Sequence, residues 1–350
     1  MAKATLRINQ YDTIHFDTNV NPLGIPETVR TALANNISSV YNYPETYYGN
    51  LKNAISEYIS APAENIILGS GSVDLIRLLT ALVMPKKALV IVPGSMGYEN
   101  ALHVINCKMD YYHLDENNDY ELDIVDFLSK LDSSYDMLII GNPNNPTSKK
   151  LERSSIEEIA KACEANKIFL VVDEMYIEFI DNDEDYTSIP LTEKHSNLAV
   201  LRSVTKFFAV PGLRVAYAVM NNPSFIKKVK NSRSESGISS LTAIAGSVMF
   251  RDMSYIEESK SMMHTERSLV YLAMSTCKTI KLIRPDANFM LMKILKDDIT
   301  ASDVYDHCKQ RGVLVRKCDD ITGLNNKYVR FCFMKPKQND LMVNTILELM

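Results

Sequence analysis

The sequence predicts an α/β fold, in which a mostly parallel central sheet is covered by helices and joined to a smaller α+β domain toward the carboxyl end. Two observations support this fold class. From about Asn65 onward, short and almost continuous apolar runs alternate with helical patterns, which is typical of strands buried on both faces of a parallel sheet. In the last third, one long helical stretch is followed by several strand-like segments, which is typical of an α+β unit.

The predicted strands of the central sheet are short apolar runs. They lie at residues 65–68, 88–92, 136–140, 168–172 and 197–201. The first run leads into a helix with leucines and isoleucines at helical spacing, and most later runs are also separated by helix-like segments. Ligands of such sheets bind at the carboxyl ends of the strands. We therefore expect residues 142–147 and Asp173, which follow two of these runs, to lie in one crevice.

The carboxyl-terminal third predicts a helix from about Met253 to Cys277 and another around residues 301–310. Strands are predicted in the segments KTIKLI, ANFMLMKI, GVLVRK and KYVRFCF. We expect three parts along the chain: an amino-terminal arm that packs with the small domain, a large domain, and the small domain itself. These parts are predicted at residues 1–30, 31–230 and 231–350.

Composition narrows the class of protein. The chain has 350 residues, of which 46% are hydrophobic and 23% charged, an ordinary balance for a globular protein. The formal net charge of -5 gives no basic surface for nucleic acid or for an anionic membrane. No apolar run approaches membrane-spanning length, and the start of the chain lacks the apolar stretch of a signal peptide. The six cysteines include no Cys-x-x-Cys pair, which indicates a reduced, cytoplasmic protein. The histidines show no metal-ligand spacing, so we expect no metal site.

The stretch SVTKFFAVPGLRVAYAV, residues 203–219, contains the sharpest candidate for chemistry, Lys206. A lysine in a partly desolvated pocket has a lowered pKa and can form a Schiff base with an aldehyde. Ser203 lies three residues before it and Arg214 eight residues after it, and both can bind a phosphate. This arrangement favours a reactive lysine over an ordinary surface lysine.

Three further side chains can contact a pyridine ring. Asp173 ends an apolar strand, where its carboxylate can pair with a protonated pyridine nitrogen and keep the ring a strong electron acceptor; the alternative is a helix N-cap. The phenol of Tyr176 and the amide of Asn145 can reach a phenolic oxygen of the same ring. The alternatives are a half-buried tyrosine beside the sheet and the ordinary turn chemistry of Asn-Pro repeats.

The turn GSGSVDLI, residues 69–76, follows a strand and opens a helix. Free backbone N–H groups at a helix start bind phosphate, so Ser72 and Val73 are candidates for that contact. Arg214 would add charge and two-point hydrogen bonding. Together with Lys206, these residues can bind a phosphorylated pyridine aldehyde and use it as an electron sink.

Arg330 lies in KYVRFCF, where alternation puts Tyr328, Arg330 and Cys332 on one face of a strand. A fork-shaped guanidinium on a rigid strand suits a substrate carboxylate. The alternative is a solvent-facing strand arginine. Arg316, in LVRKC, is a second candidate for an anion contact.

Taken together, these motifs give a chain that resembles the pyridoxal-phosphate enzymes of the aspartate aminotransferase fold, fold type I. Within them it is similar to the group that holds histidinol-phosphate aminotransferase and threonine-phosphate decarboxylase. The resemblance runs from FDTNVNPLGIP, residues 16–26, through NPNNPTS, VVDEMYIEF and TKFFAVPGLR to KYVRFCF. It implies pyridoxal 5'-phosphate as the cofactor.

The resemblance also implies a role for each residue that matches the family by position. Lys206 looks like the catalytic lysine that holds the cofactor aldehyde, and Tyr43 resembles a tyrosine that reaches the cofactor phosphate of the neighbouring subunit. That second match implies a homodimer with shared active sites. The cofactor contacts implied are Ser72, Val73, Tyr98, Asn145, Asp173, Tyr176, Ser203, Lys206, Arg214 and Tyr43, and the substrate contacts are Arg330, Arg316 and Asn21.

The chain departs from the family pattern at several positions. Ser95 stands where the family usually has a ring-stacking aromatic, and Tyr98 or Met96 is the candidate substitute. The NPNNPTG motif here ends in Ser148, and the His-Gly-Gly opening of the decarboxylase is absent. Residues 233–241, RSESGISSL, replace an aromatic- and asparagine-containing segment near the substrate.

The resemblance implies a biosynthetic enzyme that exchanges the Schiff base at Lys206 with an amino acid or an amino phosphate. If Arg330 holds the carboxylate near the ring plane, the Cα–H bond is exposed and Lys206 moves the proton, which is transamination. If a second group such as Arg316 or Arg233 rotates the carboxylate out of that plane, carbon dioxide leaves instead. Transamination is our interpretation. The alternatives are decarboxylation of an (O-phospho) L-amino acid and a non-catalytic binding protein that keeps the fold.

Overall fold

A computed structural model describes residues 13–232 and 237–350 of the chain. Its α-helices lie at Glu27–Asn35 (α1), Gly49–Ile59 (α2), Ser72–Val83 (α3), Met96–Val104 (α4), Ile124–Lys130 (α5), Arg153–Ala165 (α6), Asp183–Tyr186 (α7), Val204–Phe207 (α8), Pro223–Ser232 (α9), Ser240–Met249 (α10), Met253–Ser275 (α11), Ala301–Gln310 (α12) and Pro336–Leu349 (α13). Its strands lie at Ile14–His15 (β1), Ile66–Gly69 (β2), Lys87–Val92 (β3), Lys108–His113 (β4), Met137–Gly141 (β5), Phe169–Asp173 (β6), Leu198–Ser203 (β7), Ala216–Val219 (β8), Ile280–Leu282 (β9), Phe289–Ile294 (β10), Val313–Leu314 (β11), Arg316–Lys317 (β12) and Tyr328–Cys332 (β13).

The large sheet has the strand order β2-β8-β7-β6-β5-β3-β4. Its members from β7 to β4 run parallel to their neighbours, whereas β8 is antiparallel to both β2 and β7. The strands predicted from apolar runs are confirmed as β2, β3, β5, β6 and β7, and all residues of β2, β5 and β7 are buried. The mostly parallel sheet is therefore the one that the sequence predicts.

Two strands of this sheet escape the sequence analysis. Strand β4 lies at the edge of the sheet and contains only exposed and half-buried residues, so it lacks a continuous apolar run. Strand β8 is only four residues long. It follows closely on Arg214, in a stretch that was interpreted for its chemical groups and not as a strand. Strands at an edge, or this short, carry little periodic signal.

The carboxyl ends of the parallel strands meet at one edge of the sheet. Gly141 at the end of β5 is in register with Asp173 at the end of β6, and the backbone N–H of Asn142 donates to the carbonyl of Asp173 at 2.9 Å. Strand β7 ends at Ser203, three residues before Lys206. The strand ends therefore lie side by side, as the strand-end rule predicts, and they bring three of the chemical motifs to one edge.

A second sheet with the order β12-β13-β10-β9 is antiparallel throughout. The predicted strand GVLVRK divides into two: β11 pairs with the amino-terminal strand β1, and β12 joins the second sheet beside β13. Helix α12 begins after Thr300, whose side chain forms a reciprocal capping box with Asp303. Helices α11 and α12 confirm the predicted helices.

The amino-terminal segment contacts the carboxyl-terminal sheet. The carbonyl of Phe16 accepts from the backbone N–H of Cys332 at 2.8 Å. Helix α10 packs against α1 and α2, although it lies beyond the boundary predicted at residue 231. The three-part division of the chain stays a prediction. No helix within the described ranges combines the length and apolar character needed to cross a membrane.

Candidate active site

Lys206 is positioned by the turn between β7 and α8. The Ser203 hydroxyl accepts from the backbone N–H of Thr205 at 3.4 Å and lies 2.9 Å from the Thr205 hydroxyl, which caps the short helix. Phe207 and Phe208 are fully buried and pack edge-to-face against each other. Because these rings anchor the helix in the core, the Lys206 side chain is left to face the crevice. Its Nζ donates to the carbonyl of Thr18 at 2.7 Å.

The electrostatic surroundings of Lys206 favour its neutral amine. Burial lowers the pKa of Lys206, and the nearby guanidinium of Arg330 lowers it further. A neutral amine is the form that attacks an aldehyde or accepts a proton. The reactivity predicted for Lys206 therefore has a physical cause in its position.

Asp173 is the last residue of β6 and is 5% exposed. Its Oδ2 accepts from the hydroxyl of Tyr98 at 2.9 Å, and its Oδ1 accepts from the backbone N–H of Met175 at 3.1 Å. Burial raises the pKa of Asp173 to about 6, although these two hydrogen bonds oppose the rise. The carboxylate is thus held in one orientation at the strand end. The contact to Met175 resembles the helix cap considered as the alternative, but each carboxylate oxygen still has a lone pair with which it can bind a ring nitrogen.

Tyr176 lies beside Asp173 and is 6% exposed. Its hydroxyl accepts from Nδ2 of Asn19 at 3.4 Å, and its ring meets Phe289 edge-on at 4.8 Å. Burial raises the pKa of Tyr176, while the charge of Arg330 opposes that rise. The phenol therefore stays protonated and can donate to an oxygen in the crevice.

Arg330 and Asn145 are in direct contact. Nη1 of Arg330 donates to Oδ1 of Asn145 at 2.5 Å, and Nη2 donates to the carbonyl of Asp17 at 2.8 Å. The guanidinium lies over the ring of Phe289 at 5.5 Å. Its Nε is buried and has no hydrogen-bond partner among the described residues. The contact also leaves Nδ2 of Asn145 to donate elsewhere.

The residues of the predicted phosphate cup lie close together at the start of α3. Gly71 precedes the helix with φ +92°, and a Cβ built there would lie 2.5 Å from Nη2 of Arg214. A larger residue at position 71 would be strained by the positive φ and would displace the guanidinium. The next N–H groups, at Ser72 and Val73, have no intrahelical acceptor. A guanidinium beside free amides at a helix start is an arrangement that suits a phosphate. The residues present fit a phosphorylated pyridine aldehyde.

The structure gives Tyr98 a different position from the one expected for a ring-stacking substitute. Tyr98 is 4% exposed, and its hydroxyl is bound to Asp173. A Cβ at Gly141 would lie 3.2 Å from that hydroxyl, so Tyr98 is packed behind the carboxylate. Met96, partly exposed at the start of α4 beside Ser95, is the side chain left near the stacking position.

Three other predicted site residues are placed as follows. The amide of Asn21 is occupied by the carbonyl of Phe207 and the hydroxyl of Ser259, each at 2.8 Å, and its Oδ1 accepts from Leu23 N–H. Asn21 therefore positions the segment that follows Lys206, in place of the substrate contact expected of it. Arg316 is paired with Asp320. Tyr43 is 94% exposed. The fourth candidate, Arg233, lies outside the described residues.

Sequence reasoning missed the contribution of backbone carbonyls. The carbonyls of Asp17 and Thr18 hold Arg330 and Lys206, respectively, but any residue type can supply a carbonyl, so no side-chain signal marks them. Thr205, which shares a hydrogen bond with Ser203, was also missed; its hydroxyl directly before Lys206 is the signal that could have found it.

Ser148 stands where the family motif has glycine, and its contacts account for this difference. Its φ of +65° is in the region that favours glycine. Its hydroxyl accepts from the backbone N–H of Ala287 at 2.8 Å, and its carbonyl accepts from Asp286 N–H at 3.2 Å. The serine thus joins the strand-end loop to the carboxyl-terminal part of the chain.

Comparisons with known proteins show the family and the fold. A family model described as aminotransferase class I and II matches residues 11–346. The chain is 28% identical to the threonine-phosphate decarboxylase of Salmonella typhimurium, over 98% of this chain and 92% of that protein. The solved structure of histidinol-phosphate aminotransferase from Clostridium acetobutylicum matches with a TM-score of 0.89 and 29% identity, over 96% of this chain and 98% of that one. Histidinol-phosphate aminotransferase from Sinorhizobium meliloti, solved in complex with pyridoxal-5'-phosphate, has the same fold with a TM-score of 0.86, 18% identity, and 97% and 92% coverage.

Proposed function

Since this chain belongs to the class I and II aminotransferase family, we propose that it is a pyridoxal-phosphate-dependent aminotransferase acting on an amino acid or amino phosphate. Lys206 is the catalytic amine. The observation that carries this proposal is the convergence of a half-buried lysine of lowered pKa, the Asp173 carboxylate and the Gly71–Arg214 pair at one sheet edge. Each belongs to a different strand end, so their meeting is a property of the fold.

The residues present divide the tasks of holding the cofactor. Arg214 and the amides of Ser72 and Val73 would hold its phosphate, and Asp173 would hold its ring nitrogen. Asn145 and Tyr176 would donate to its phenolic oxygen. When bound, pyridoxal 5'-phosphate withdraws the electron pair released at the substrate Cα.

Lys206 and Arg330 act on the substrate itself. The N–H groups that remain on Nη1 and Nη2 of Arg330 suit a carboxylate. Burial and the nearby guanidinium lower the pKa of Lys206, which favours the amine form that accepts the proton of Cα and returns it at a different atom. Because Arg330 is fixed by Asn145 and the carbonyl of Asp17, it holds the carboxylate in one orientation.

The state of Arg316 supports transamination over decarboxylation. Release of carbon dioxide requires a second group that turns the carboxylate out of the ring plane. Nη2 of Arg316, the candidate for that group, donates to both oxygens of the Asp320 carboxylate at 2.7 Å, and its Nη1 donates to the carbonyl of Lys317. It is therefore engaged, and Arg330 alone addresses the substrate carboxylate.

Decarboxylation of an (O-phospho) L-amino acid is the second candidate. The similarity to a threonine-phosphate decarboxylase over nearly the whole of both chains favours it. The two reactions give different products, so one experiment separates them. The cofactor-loaded protein is incubated with a panel of amino acids and amino phosphates, and both carbon dioxide and the amine form of the cofactor are measured.

The expected result is conversion of the cofactor to its amine form with one substrate class, without carbon dioxide. Carbon dioxide in amounts equal to the substrate consumed would establish the decarboxylase instead. The non-catalytic alternative predicts a colourless protein that gains no visible absorbance with added pyridoxal phosphate. The control is Lys206→Ala, which should lose the absorbance of the wild type.

We also propose a cytoplasmic homodimer with shared active sites. Large apolar side chains between α1 and α2 are exposed: Ile37 at 62%, Val40 at 65%, Tyr41 at 92%, Tyr43 at 94% and Tyr47 at 78%. A patch of this kind is typical of a protein interface. A second copy placed on it would bring Tyr43 toward the neighbouring phosphate cup.

A further inference from the structure

Two arginines face each other beside the active site. Arg316 on β12 and Arg330 on β13 are direct cross-strand partners, so their side chains leave the same face of the sheet. Like charges directly opposite one another repel, so each guanidinium needs its own hydrogen-bond acceptor or negative charge nearby. Arg330 is directed toward Asn145 and the carbonyl of Asp17.

Arg316 is bound by acceptor groups of the same chain. Nη2 of Arg316 donates to Oδ1 and Oδ2 of Asp320, both at 2.7 Å, and Nη1 donates to the carbonyl of Lys317. Nη2 also lies 4.0 Å from Sδ of Met96, at the start of α4. The guanidinium therefore lies at the same sheet edge as the catalytic groups, with a carboxylate already bound.

The loop that carries Asp320 is fixed in place. Cys318 and Ile321 are buried at 0% and 6% exposure, and the Thr322 hydroxyl donates to Oε1 of Glu99 on α4 at 2.9 Å. Gly323, with φ +88°, approaches Pro93 so closely that a Cβ there would lie 3.2 Å from the proline nitrogen. Because the loop is anchored on both sides of Asp320, the carboxylate is placed by packing.

The pair remains accessible to a ligand. The side chains of Arg316 and Asp320 are 33% and 48% exposed, so a molecule from solvent can reach them. Asp319, the exposed neighbour of Asp320, adds a second negative charge to the loop. Lys317 is turned to the opposite face by strand alternation, where its amine meets Ser302. The net charge of the surface next to Arg330, formed by Arg316, Asp319 and Asp320, is therefore neutral or negative.

We propose that Asp320 occupies the anion position of Arg316, so that the substrate is an α-amino acid whose side chain carries no phosphate. This inference rests on the proposed function, because it assumes that Arg330 holds the substrate carboxylate. A phosphate dianion directed at Arg316 would have to displace the Asp320 carboxylate and then remain beside it and Asp319. A neutral side chain meets no such repulsion, and rejection by a placed like charge is a direct source of specificity.

The first test compares matched substrates on the cofactor-loaded wild type. A panel of amino acids is run beside O-phospho-L-serine, O-phospho-L-threonine and histidinol phosphate, and kcat/KM is taken from the change in cofactor absorbance. The best substrate is expected to be unphosphorylated, with at least about a tenfold advantage over the best phosphate ester. A phosphate ester as the best substrate would overturn this inference while leaving the proposed function intact. No reaction with any compound would overturn both.

The second test removes the charge at each of two neighbouring positions. Asp320→Asn should shift the ratio of kcat/KM for O-phospho-L-threonine over L-threonine by about tenfold toward the phosphate ester, because Arg316 is released. Asp319→Asn makes the same change of charge in the same loop without touching Arg316, and its ratio should shift by less than about threefold. Equal shifts, or an unchanged ratio in Asp320→Asn, would overturn the role of Asp320. The cofactor absorbance of each variant shows that it is folded, and Asp320→Ser serves as a second release variant.

Discussion

The hydroxyl of Tyr98 donates a hydrogen bond of 2.9 Å to Oδ2 of Asp173, and both side chains are almost completely buried. Burial alone would favour the neutral carboxylic acid, which cannot pair with a protonated ring nitrogen. The tyrosine donates to the charged form and so opposes the rise in the pKa of Asp173. Tyr98 is therefore a positioning residue for the carboxylate.

Tyr98→Phe should weaken the binding of pyridoxal 5'-phosphate by about tenfold at neutral pH, because a hydrogen bond to a charged group is lost. The measurement is a titration of the cofactor-free protein with the cofactor, followed by absorbance. Tyr112→Phe is the matched control, since it removes a tyrosine–aspartate hydrogen bond of the same length, to Asp126 on α5. Equal affinities for the two variants would contradict the role of Tyr98.

Asp173→Asn should stabilise the cofactor-free protein at pH 8 and have little effect on it at pH 4. The folded pKa of about 6 lies above the ordinary value of 3.8, so the folded state binds the proton more tightly than the unfolded chain. Stability from this group is greatest at low pH, and about 3 kcal/mol of it is lost as the pH rises from 4 to 6 and above. Urea unfolding of both proteins across this range tests the sign. A difference between them that does not depend on pH would contradict it.

Arg330→Gln should raise KM for carboxylate substrates strongly, because truncating one partner of a buried charge pair costs roughly 2–5 kcal/mol. Arg330→Lys keeps the charge but loses the planar fork, so it should recover only part of the loss. A primary amine without a carboxylate is the control, and its half-reaction should change much less. If the amine and the amino acid lost affinity equally, Arg330 would not be the carboxylate contact.

Ser148→Ala should destabilise the protein more than Ser148→Gly. Both substitutions remove the hydroxyl that accepts from Ala287, but only alanine must keep a side chain at φ +65°. The difference in free energy of unfolding should be about 1 kcal/mol. Urea denaturation of the two variants measures it. Equal stabilities would show that the positive φ carries no strain here.

Mixed subunits test the sharing of sites through Tyr43. If each site takes Lys206 from one subunit and Tyr43 from the other, a hybrid of Lys206→Ala and Tyr43→Ala subunits contains one intact site. Mixing equal amounts should restore about a quarter of the wild-type number of intact sites, since half of the dimers are hybrids. Activity and cofactor binding after refolding the mixture measure this. Values no higher than the average of the two separate variants would argue for self-contained sites.

The sequence by itself determined the fold class and the main chemical groups. Buried strands such as β5 and β6 produce continuous apolar runs, and the residues that end them mark the edge where ligands bind. Lys206, Asp173 and Arg214 could be named because their side-chain types are rare in combination at those spacings. The glycine-rich start of α3 was found for the same reason, since its signal is local.

Only the tertiary structure decided which hydrogen-bond and charge partners these groups have. The hydrogen bond from Tyr98 to Asp173 joins residues 75 positions apart, and the Thr18 carbonyl reaches Lys206 across 188 positions. Three other features also depend on the tertiary structure. They are the pairing of Arg316 with Asp320, the hydrogen bonds of the Asn21 amide within the chain, and the antiparallel direction of β8. Contacts of this kind depend on how separate elements pack in space, and neither local periodicity nor residue type encodes that packing in a readable pattern.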